Sequence, residues 1–461
     1  MIEFPNNFLW GAAASGPQTE GFNNKYHESI WEVWFKKEPH RFYNEISNEV
    51  VTNSVINYKN DVKLMTKIGF NSFRTSIQWS RLIKNFETGE PDLEAVDFYN
   101  KYIDEMIAHG IEPIIGLYHF DMPALLQEEY GGFESKIVVD LYVKYAETVF
   151  KLFGDRVKKF ITFNEPIVPV EGGYLYDFHY PNKQDMNLAL QVGYNTILAH
   201  SKVVNLYQSM DLGGEIGVVL NLTPSYTEDD SDENKKAAYM ADLIFNRSFL
   251  DPMVLGEFPS DLILEIKRYG KLPEYTEDEL HQIKTSKIDF LGVNYYVPRR
   301  VRKSSVEFVG EGFSPDRYFE SYVDPSKRFN PYRDNNEIHP QAIYDIAMNI
   351  KENYGNIPWY ISEIGIAMNL QSEGEPIDGV IDDSYRIELL KEHLVELHRA
   401  IEEGANCFGV HTWTFIDNWS WINSFKRRYG FYRLDLDSGD RILKKSGIWF
   451  KELATTNKMK L

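Results

Sequence analysis

Short apolar segments of β-type composition alternate with longer amphipathic segments along the chain. The amphipathic segments place apolar residues on one helical face, so the pattern is typical of strands followed by helices. Eight segments are predicted as strands: residues 8–13, 72–77, 113–118, 159–164, 215–220, 290–294, 359–363 and 407–413. Eight strands separated by helices allow either an open doubly wound sheet or a closed barrel.

The predicted helices are delimited by glycines that can end a helix. Three are clear: residues 58–68 before Gly69, 92–108 before Gly110, and 387–401 before Gly404. Two further segments, 227–236 and 310–336, are polar and irregular, and we expect them to lie at the surface or rim as loops.

Polar and aromatic side chains collect in or just after the later part of most predicted strands. They are Arg74, His119, Asn164, Glu165, Asn294, Glu363 and Trp413. In a (β/α)8 barrel these strand ends converge on one mouth, whereas an open sheet would spread them along a line. No Gly-x-Gly-x-x-Gly turn and no Walker-type loop follows a strand, which argues against a nucleotide-binding sheet. The pattern predicts an α/β fold, a single catalytic (β/α)8 TIM barrel domain over residues 1–461.

Composition and charge narrow the class of protein. The chain is 43% apolar and 15% aromatic, enough for a large core, and its formal charge of −20 argues against nucleic acid or an anionic membrane as main partner. No apolar run reaches the roughly 18 residues of a membrane span, and residues 1–5 lack the features of a secretory signal. The single cysteine, Cys407, fits a reducing compartment. We expect a cytoplasmic protein, and a homo-oligomer is left open.

Two glutamates are the candidates for chemistry. Glu165 follows the fourth predicted strand and Glu363 ends the seventh. Retaining glycoside hydrolysis uses two carboxyl groups about 5 to 5.5 Å apart, one as acid and one as nucleophile. Either glutamate alone can be a helix cap or a surface ion-pair partner, but the two at one mouth favour a catalytic pair. Arg74, in the second strand, can hold Glu363 ionised.

Short motifs around both glutamates carry a family resemblance. Asn164-Glu165-Pro166 is similar to the acid/base motif of glycoside hydrolase family 1. Ser362-Glu363-Ile364-Gly365 is similar to the nucleophile motif, with Ile where the family usually has Asn. The resemblance extends from Phe8-Leu9-Trp10-Gly11 to Tyr429-Gly430-Phe431. It implies a retaining β-glycosidase in which Glu165 is the general acid/base and Glu363 the nucleophile, a reaction that needs neither a metal nor an organic cofactor.

The resemblance also implies further contacts. Tyr296 and Arg74 would hydrogen-bond the nucleophile, and Trp413 would form the floor on which the pyranose stacks. The predicted substrate-binding residues are Gln18, His119, Asn164, Asn294, Trp413 and Trp421. Without the resemblance, Gln18 and His119 can equally be satisfied core residues, and the aromatic residues can simply be packing.

Ser420 bears on which sugar is bound. Ordinary β-glucosidases of the family carry there a Glu that accepts hydrogen bonds from the sugar 4- and 6-hydroxyls. A carboxylate would repel a 6-phosphate, whereas a serine hydroxyl can donate to it. The segment resembles the Ser, Lys, Tyr phosphate loop of the family's 6-phospho-β-glycosidases. Its phosphate-binding residues would be Ser420, Tyr429 and either Lys426 or Arg427, and the run 299–303 is a weaker basic candidate. A solvated surface turn is the alternative explanation for the basic run at 426–428.

These observations predict hydrolysis of small-molecule phosphorylated β-glucosides to glucose 6-phosphate and an aglycone by double displacement. Ser15-Gly16-Pro17-Gln18 is more similar to the phosphoglucosidase branch than to the phosphogalactosidase branch. The alternatives are an unphosphorylated β-glucosidase, a 6-phospho-β-galactosidase and a sugar-binding barrel without activity. The aglycone is not specified by the sequence.

Overall fold

Eight parallel strands close into a barrel in the computed structural model, which describes residues 1–461. Each strand pairs with its successor in the chain, and the eighth pairs with the first. The strands are β1 (Leu9–Ala13), β2 (Ser72–Ser76), β3 (Glu112–Gly116), β4 (Lys159–Asn164), β5 (Glu215–Asn221), β6 (Phe290–Tyr295), β7 (Trp359–Ile364) and β8 (Cys407–Trp413). The predicted barrel is confirmed, with every strand boundary within two residues of its predicted position.

Eight helices alternate with the strands. They are α1 (Ser54–Lys67), α2 (Leu93–Ala108), α3 (Lys136–Phe153), α4 (Met186–Met210), α5 (Glu277–Thr285), α6 (Gln341–Asn353), α7 (Ser384–Glu402) and α8 (Lys445–Thr456). The connections add further helices: Gly16–Thr19, Ile30–Lys37, Trp79–Leu82, Ala124–Tyr130, Ile167–Val170, Asp232–Asp242, Ser248–Leu250, Ser260–Tyr269 and Leu370–Glu373. No helix is both long enough and apolar enough to cross a bilayer.

Small antiparallel or mixed sheets decorate the barrel. Their strands are Ile2–Glu3 with Lys458–Met459, Ile83–Asn85 with Glu90–Pro91, Tyr432–Leu434 with Arg441–Leu443, and the trio Ser225–Thr227, Arg299–Arg302 and Glu320–Ser321. Single turns of π-helix occur at Glu171–Leu175, Leu243–Arg247 and Asp251–Leu255. The trio lies in the connections that follow β5 and β6, so it belongs to the mouth of the barrel.

The helix ends follow the local chemistry of the sequence. Asp92 caps α2, its carboxylate accepting a 2.9 Å hydrogen bond from the backbone nitrogen of Ala95. Gly69 and Gly404 follow α1 and α7 with φ of 81° and 93°, a region that costs glycine nothing. The predicted helix boundaries at these positions are therefore explained by caps and glycine stops.

One expected loop is partly helical. Residues 232–236 form the first turns of the helix Asp232–Asp242, so the prediction of irregular structure for 227–236 is wrong over that stretch. Ser231 caps this helix by accepting from the backbone nitrogen of Asn234, and Asp232 and Glu233 lie in its first turn, where negative charge is favoured by the helix dipole. The acidic residues that suggested a solvated loop instead lie in the first turn of a helix.

Polarity changes along the inside of the barrel. The end at which the strands begin is filled by an apolar cluster of Ile114, Ile161, Val219, Phe290 and Tyr360. The opposite end carries the polar side chains that were predicted to meet at the mouth. The apolar cluster closes the barrel at one end, so a substrate must enter from the polar end.

Candidate active site

Glu363 lies at the carboxyl end of β7 with both carboxylate oxygens hydrogen-bonded. The guanidinium of Arg74, on β2, contacts Oε1 in a buried ion pair, and the Tyr296 hydroxyl donates to Oε2 over 2.5 Å. Arg74 and Glu363 are 2% and 4% exposed. Because an opposite charge and a phenolic donor both favour the charged form of a carboxylate, this arrangement suits an anionic Glu363 aimed into the mouth.

An irregularity in β7 brings two neighbouring side chains to the same cation. Val293 and Asn294 of β6 are consecutive, yet they pair with Ile361 and Glu363, which leaves Ser362 as an extra residue in β7. Such a bulge re-aims side chains that would otherwise alternate between the two faces. Arg74 therefore donates to the Ser362 hydroxyl over 2.7 Å as well as contacting Glu363.

Glu165 is connected to Glu363 by a chain of hydrogen bonds. The Asn294 amide nitrogen donates to Oε1 of Glu165 over 2.8 Å and to Oδ1 of Asn164 over 3.1 Å. Arg74 donates to the same Asn164 oxygen over 3.0 Å. The structure thus brings Arg74, Asn164 and Asn294 together around the two glutamates, as the strand-end pattern indicated.

The surroundings of Glu165 favour its protonated form. Burial first, and then the negative charge of Glu363, raise the pKa of Glu165 to about 8, against the hydrogen bond from Asn294 and the charge of Arg74, which lower it. Glu165 also has a φ of 45°, an uncommon conformation for a residue with a side chain and one that occurs preferentially at functional sites. A carboxylic acid and a carboxylate at one mouth is the pairing that general acid catalysis needs.

The His119 ring stacks with two tryptophans. Its ring stacks at 5.8 Å from Trp413 and at 5.9 Å from Trp421, with interplanar angles of 22° and 20°. Its Nε2 accepts from the Asn164 amide over 3.3 Å. Burial and the charge of Arg74 lower the pKa of His119 well below the ordinary histidine value, so the imidazole is neutral.

Gln18 is fully buried and linked to the segment that contains Ser420. Its amide nitrogen donates to the Trp419 carbonyl over 2.8 Å, and its oxygen accepts from the Ser15 hydroxyl over 2.7 Å. One amide hydrogen is left for a ligand. The predicted role of Gln18 in sugar binding stays a prediction.

The predicted phosphate residues separate into two environments. Lys426 is exposed and its ammonium lies 5.8 Å from the centre of the Tyr43 ring. Arg427 is half-buried, and burial together with the charge of Arg333 lowers its pKa while the Tyr429 hydroxyl raises it. Arg333 donates to the Tyr429 hydroxyl over 3.4 Å. Of the two alternatives that the sequence left open, Arg427 is the one beside Tyr429.

Tyr429 connects this region to the two glutamates. It packs with Ala13, Ala367 and Trp413 in one cluster, and its ring centre is 6.5 Å from that of Tyr296, which contacts Glu363. Ser420 is 8% exposed. Tyr429 is therefore separated from the nucleophile candidate by about one aromatic ring, a spacing suited to the two ends of one sugar.

The second basic run is committed to other carboxylates. Arg299 lies 3.7 Å from Glu171, Arg300 pairs with Glu337 over 2.6 Å, and Arg302 contacts Glu320 over 2.7 Å. Arg428, which follows Arg427 in the chain, is buried and lies 3.6 Å from Asp417. These arginines are neutralised by carboxylates of the protein, whereas Arg427 forms no ion pair.

Two residues of this site could not be predicted from the sequence. Ser362 is brought to Arg74 only by the bulge in β7, and Arg333 comes from the irregular segment 310–336, which carries no strand-end signal. The buried carboxyl pair and its cation at the mouth of a closed (β/α)8 barrel together define a glycoside hydrolase.

Comparison with known proteins gives the family. The chain belongs to glycosyl hydrolase family 1, whose model matches residues 1–459. It is 51% identical over 458 residues to the 6-phospho-beta-glucosidase GmuD of Bacillus subtilis, covering 98% of each chain. It is 34% identical to a 6-phospho-beta-galactosidase of Clostridium acetobutylicum, covering 100% of this chain and 98% of the relative. The solved family 1 β-glucosidase from Thermotoga maritima superposes with a TM-score of 0.90 at 31% identity over 100% of both chains.

Proposed function

We propose that this chain hydrolyses 6-phospho-β-D-glucosides with retention of configuration and releases glucose 6-phosphate. The observation that carries the proposal is Arg427, a half-buried guanidinium beside Tyr429 that pairs with no carboxylate of the protein. An unneutralised cation at the edge of a sugar site attracts an anionic substituent. The name of the relative at 51% identity, a 6-phospho-beta-glucosidase, supports the same substrate class.

In the first step, Glu363 attacks the anomeric carbon and Glu165 protonates the leaving oxygen. Arg74 and Tyr296 hold the attacking carboxylate through its two oxygens, so its orientation is set before the substrate arrives. Glu165 enters the step as an acid because burial and the charge of Glu363 raise its pKa. The glycosidic bond breaks, a glycosyl ester with Glu363 forms, and the proton leaves with the aglycone.

In the second step, Glu165 acts as a base. Formation of the ester removes the negative charge of Glu363, which is, after burial, the largest of the causes that raise the pKa of Glu165. With that cause gone, Glu165 holds its proton less tightly and is suited to deprotonate a water molecule. The water attacks the anomeric carbon, the ester bond breaks and the sugar is released with its original configuration.

The 6-phosphate would lie against Ser420, Arg427 and Tyr429. A hydroxyl at Ser420 adds a donor without adding charge, and Arg427 supplies a planar cation suited to phosphate oxygens. Lys426 is exposed beside Tyr43, and we assign it no contact with substrate. His119, Gln18 and Asn164 would bind the remaining hydroxyls above Trp413.

Because a bilayer rejects the charge of a sugar phosphate, we expect the enzyme to act in the cytoplasm, where its substrate would be phosphorylated.

The test compares three chromogenic substrates under identical conditions: nitrophenyl β-glucoside, its 6-phosphate, and nitrophenyl β-galactoside 6-phosphate. We expect kcat/KM to be highest for the glucoside 6-phosphate. Preference for the unphosphorylated glucoside would refute the phosphate proposal and leave a plain β-glucosidase. Preference for the galactoside 6-phosphate would retain the anion site and reverse the assignment of the sugar.

A further inference from the structure

We infer that Arg333 is a second phosphate ligand, which makes the anion site a pair of guanidinium groups supplied by two different loops. The inference rests on the proposed function and adds a residue that lies about a hundred positions away from Tyr429 in the chain. Arg333 donates to the Tyr429 hydroxyl over 3.4 Å, and its charge is close enough to Arg427 to lower the pKa of that residue.

Arg333 and Arg427 differ from the other arginines of the chain. Every other arginine lies within 4.0 Å of a carboxylate or, in the case of Arg317, donates to backbone carbonyls. The chain contains 69 acidic and 49 basic residues, so carboxylates are abundant. Two half-buried, unneutralised arginines beside one tyrosine repel each other, and an anion bound between them would remove that repulsion.

The turn that carries Arg333 is held in place. The backbone nitrogen of Asn330 donates to the Asn336 carbonyl over 2.8 Å, and that of Arg333 donates to the Asn330 carbonyl over 3.2 Å. The Asn330 side chain, 3% exposed, donates to the Ala367 carbonyl over 3.0 Å. Ala367 follows β7 and packs with Tyr429, so the turn is anchored to the segment that continues from the nucleophile.

The charge count agrees with the chemistry of the ligand. A sugar 6-phosphate carries about 1.5 to 2 negative charges at neutral pH and three acceptor oxygens. A single guanidinium neutralises at most half of a dianion, whereas two guanidinium groups and two hydroxyls, from Ser420 and Tyr429, match its charge and its oxygens. The charge of Asp334 raises the pKa of Arg427, but Asp334 forms an ion pair with neither arginine. Arg333 is thus a specificity residue and takes no part in bond breaking.

The test uses the full-length enzyme and the variants Arg333→Gln, Arg333→Lys and Arg328→Gln. Arg328 lies five positions earlier on the same segment and forms an exposed ion pair with Glu392, so its variant removes the same charge without touching Tyr429. We expect Arg333→Gln to lower kcat/KM for nitrophenyl β-glucoside 6-phosphate by roughly 10- to 100-fold, the effect of one charge-assisted contact. Activity on nitrophenyl β-glucoside should fall by much less than activity on the 6-phosphate, Arg333→Lys should recover part of the loss, and Arg328→Gln should behave as wild type.

Three outcomes would overturn the inference. An equal loss on both substrates would mean that Arg333 only supports the fold of the barrel mouth. The variant would then also unfold at a lower temperature than wild type. An unchanged rate on the phosphorylated substrate would remove Arg333 from the site. A loss in Arg333→Gln that is absent once Tyr429→Phe is also present would mean that Arg333 acts only by orienting the phenol. The wild-type comparison separates these from failure of the proposed function, because a wild-type enzyme without preference for the phosphorylated glucoside refutes the substrate class itself.

Discussion

The amide nitrogen of Asn294 donates a 2.8 Å hydrogen bond to Oε1 of Glu165. This bond favours the charged carboxylate and so lowers the pKa of Glu165, opposing the larger effect of burial. Asn294 therefore tunes the acid as well as linking it to Asn164.

Replacing Asn294 by Ala should move the basic limb of the pH profile. Protonated Glu165 is needed for the first step, so kcat/KM falls as pH rises through its pKa. Without the donor, that pKa rises, and the basic limb should move to higher pH by up to about one unit. The measurement is kcat/KM against pH with an aryl glucoside, and a shift to lower pH would contradict the assignment of Glu165 as the acid.

Glu165→Gln should lose activity and gain stability at neutral pH. Folding raises the pKa of Glu165 from 4.5 to about 8, so between these values the native state keeps a proton that the unfolded state releases. The free energy of unfolding therefore falls as pH rises through this interval, and glutamine removes that loss, on the order of 1 kcal/mol or more at pH 7. Urea unfolding at pH 5 and pH 7 should show a smaller decline in the variant than in wild type. An identical decline in both would mean that Glu165 titrates normally.

Glu363→Ala should abolish hydrolysis through loss of the nucleophile, with a fall in kcat on the order of 10⁴-fold or more. Added azide should restore turnover by attacking the anomeric carbon from the vacated side, giving a glycosyl azide of opposite configuration to the substrate. Product analysis by NMR reads the configuration. If the wild-type protein binds sugar but does not hydrolyse it, and the variant still binds, the chain is instead a sugar-binding barrel.

Ser420→Glu should change the preferred substrate. The new carboxylate would lie next to a 6-phosphate. Two like charges in close contact repel by several kcal/mol at the effective dielectric of a protein surface. We expect kcat/KM for the phosphorylated glucoside to fall by at least about 10-fold and that for the neutral glucoside to rise. Ser420→Gln, of similar size without the charge, is the matched control. Retention of the phosphate preference in Ser420→Glu would remove Ser420 from the anion site.

Lys426 and Arg427 offer a direct comparison of adjacent cations. Arg427→Gln should raise KM for the phosphorylated substrate by roughly 10- to 100-fold, because the half-buried guanidinium lies beside Tyr429. Lys426→Gln should have little effect, because its ammonium is exposed beside Tyr43. KM for the glucoside 6-phosphate is the readout. A larger effect at Lys426 would reverse the assignment.

The barrel was predictable because its strands are apolar runs and their polar residues lie at one end. Arg74, Asn164 and Glu363 come from different strands, yet the rule that strand ends converge was sufficient to bring them together. The pairing of Glu363 with Arg74 was expected from charge alone. Residues that lie at regular positions of regular elements are the ones that sequence periodicity can locate.

The remaining residues depend on irregular backbone. The bulge at Ser362 changes which side chains of β7 face Arg74, and no periodic pattern marks it. Lys426 and Arg427 are adjacent in a loop, so only the folded backbone decides which of them turns inward. Arg333 belongs to a turn whose hydrogen bonds connect it to Ala367, a tertiary contact that the local sequence does not encode.

The burial of His119 next to the charge of Arg74 simplifies the interpretation of kinetics. An imidazole that stays uncharged contributes no ionisation between mild acid and mild alkali. Inflections seen with a neutral glucoside can then be attributed to the carboxyl groups, and an additional inflection near pH 6 that occurs only with the phosphorylated glucoside belongs to the substrate. The difference between two such curves isolates recognition of the phosphate from the chemical step in a single experiment.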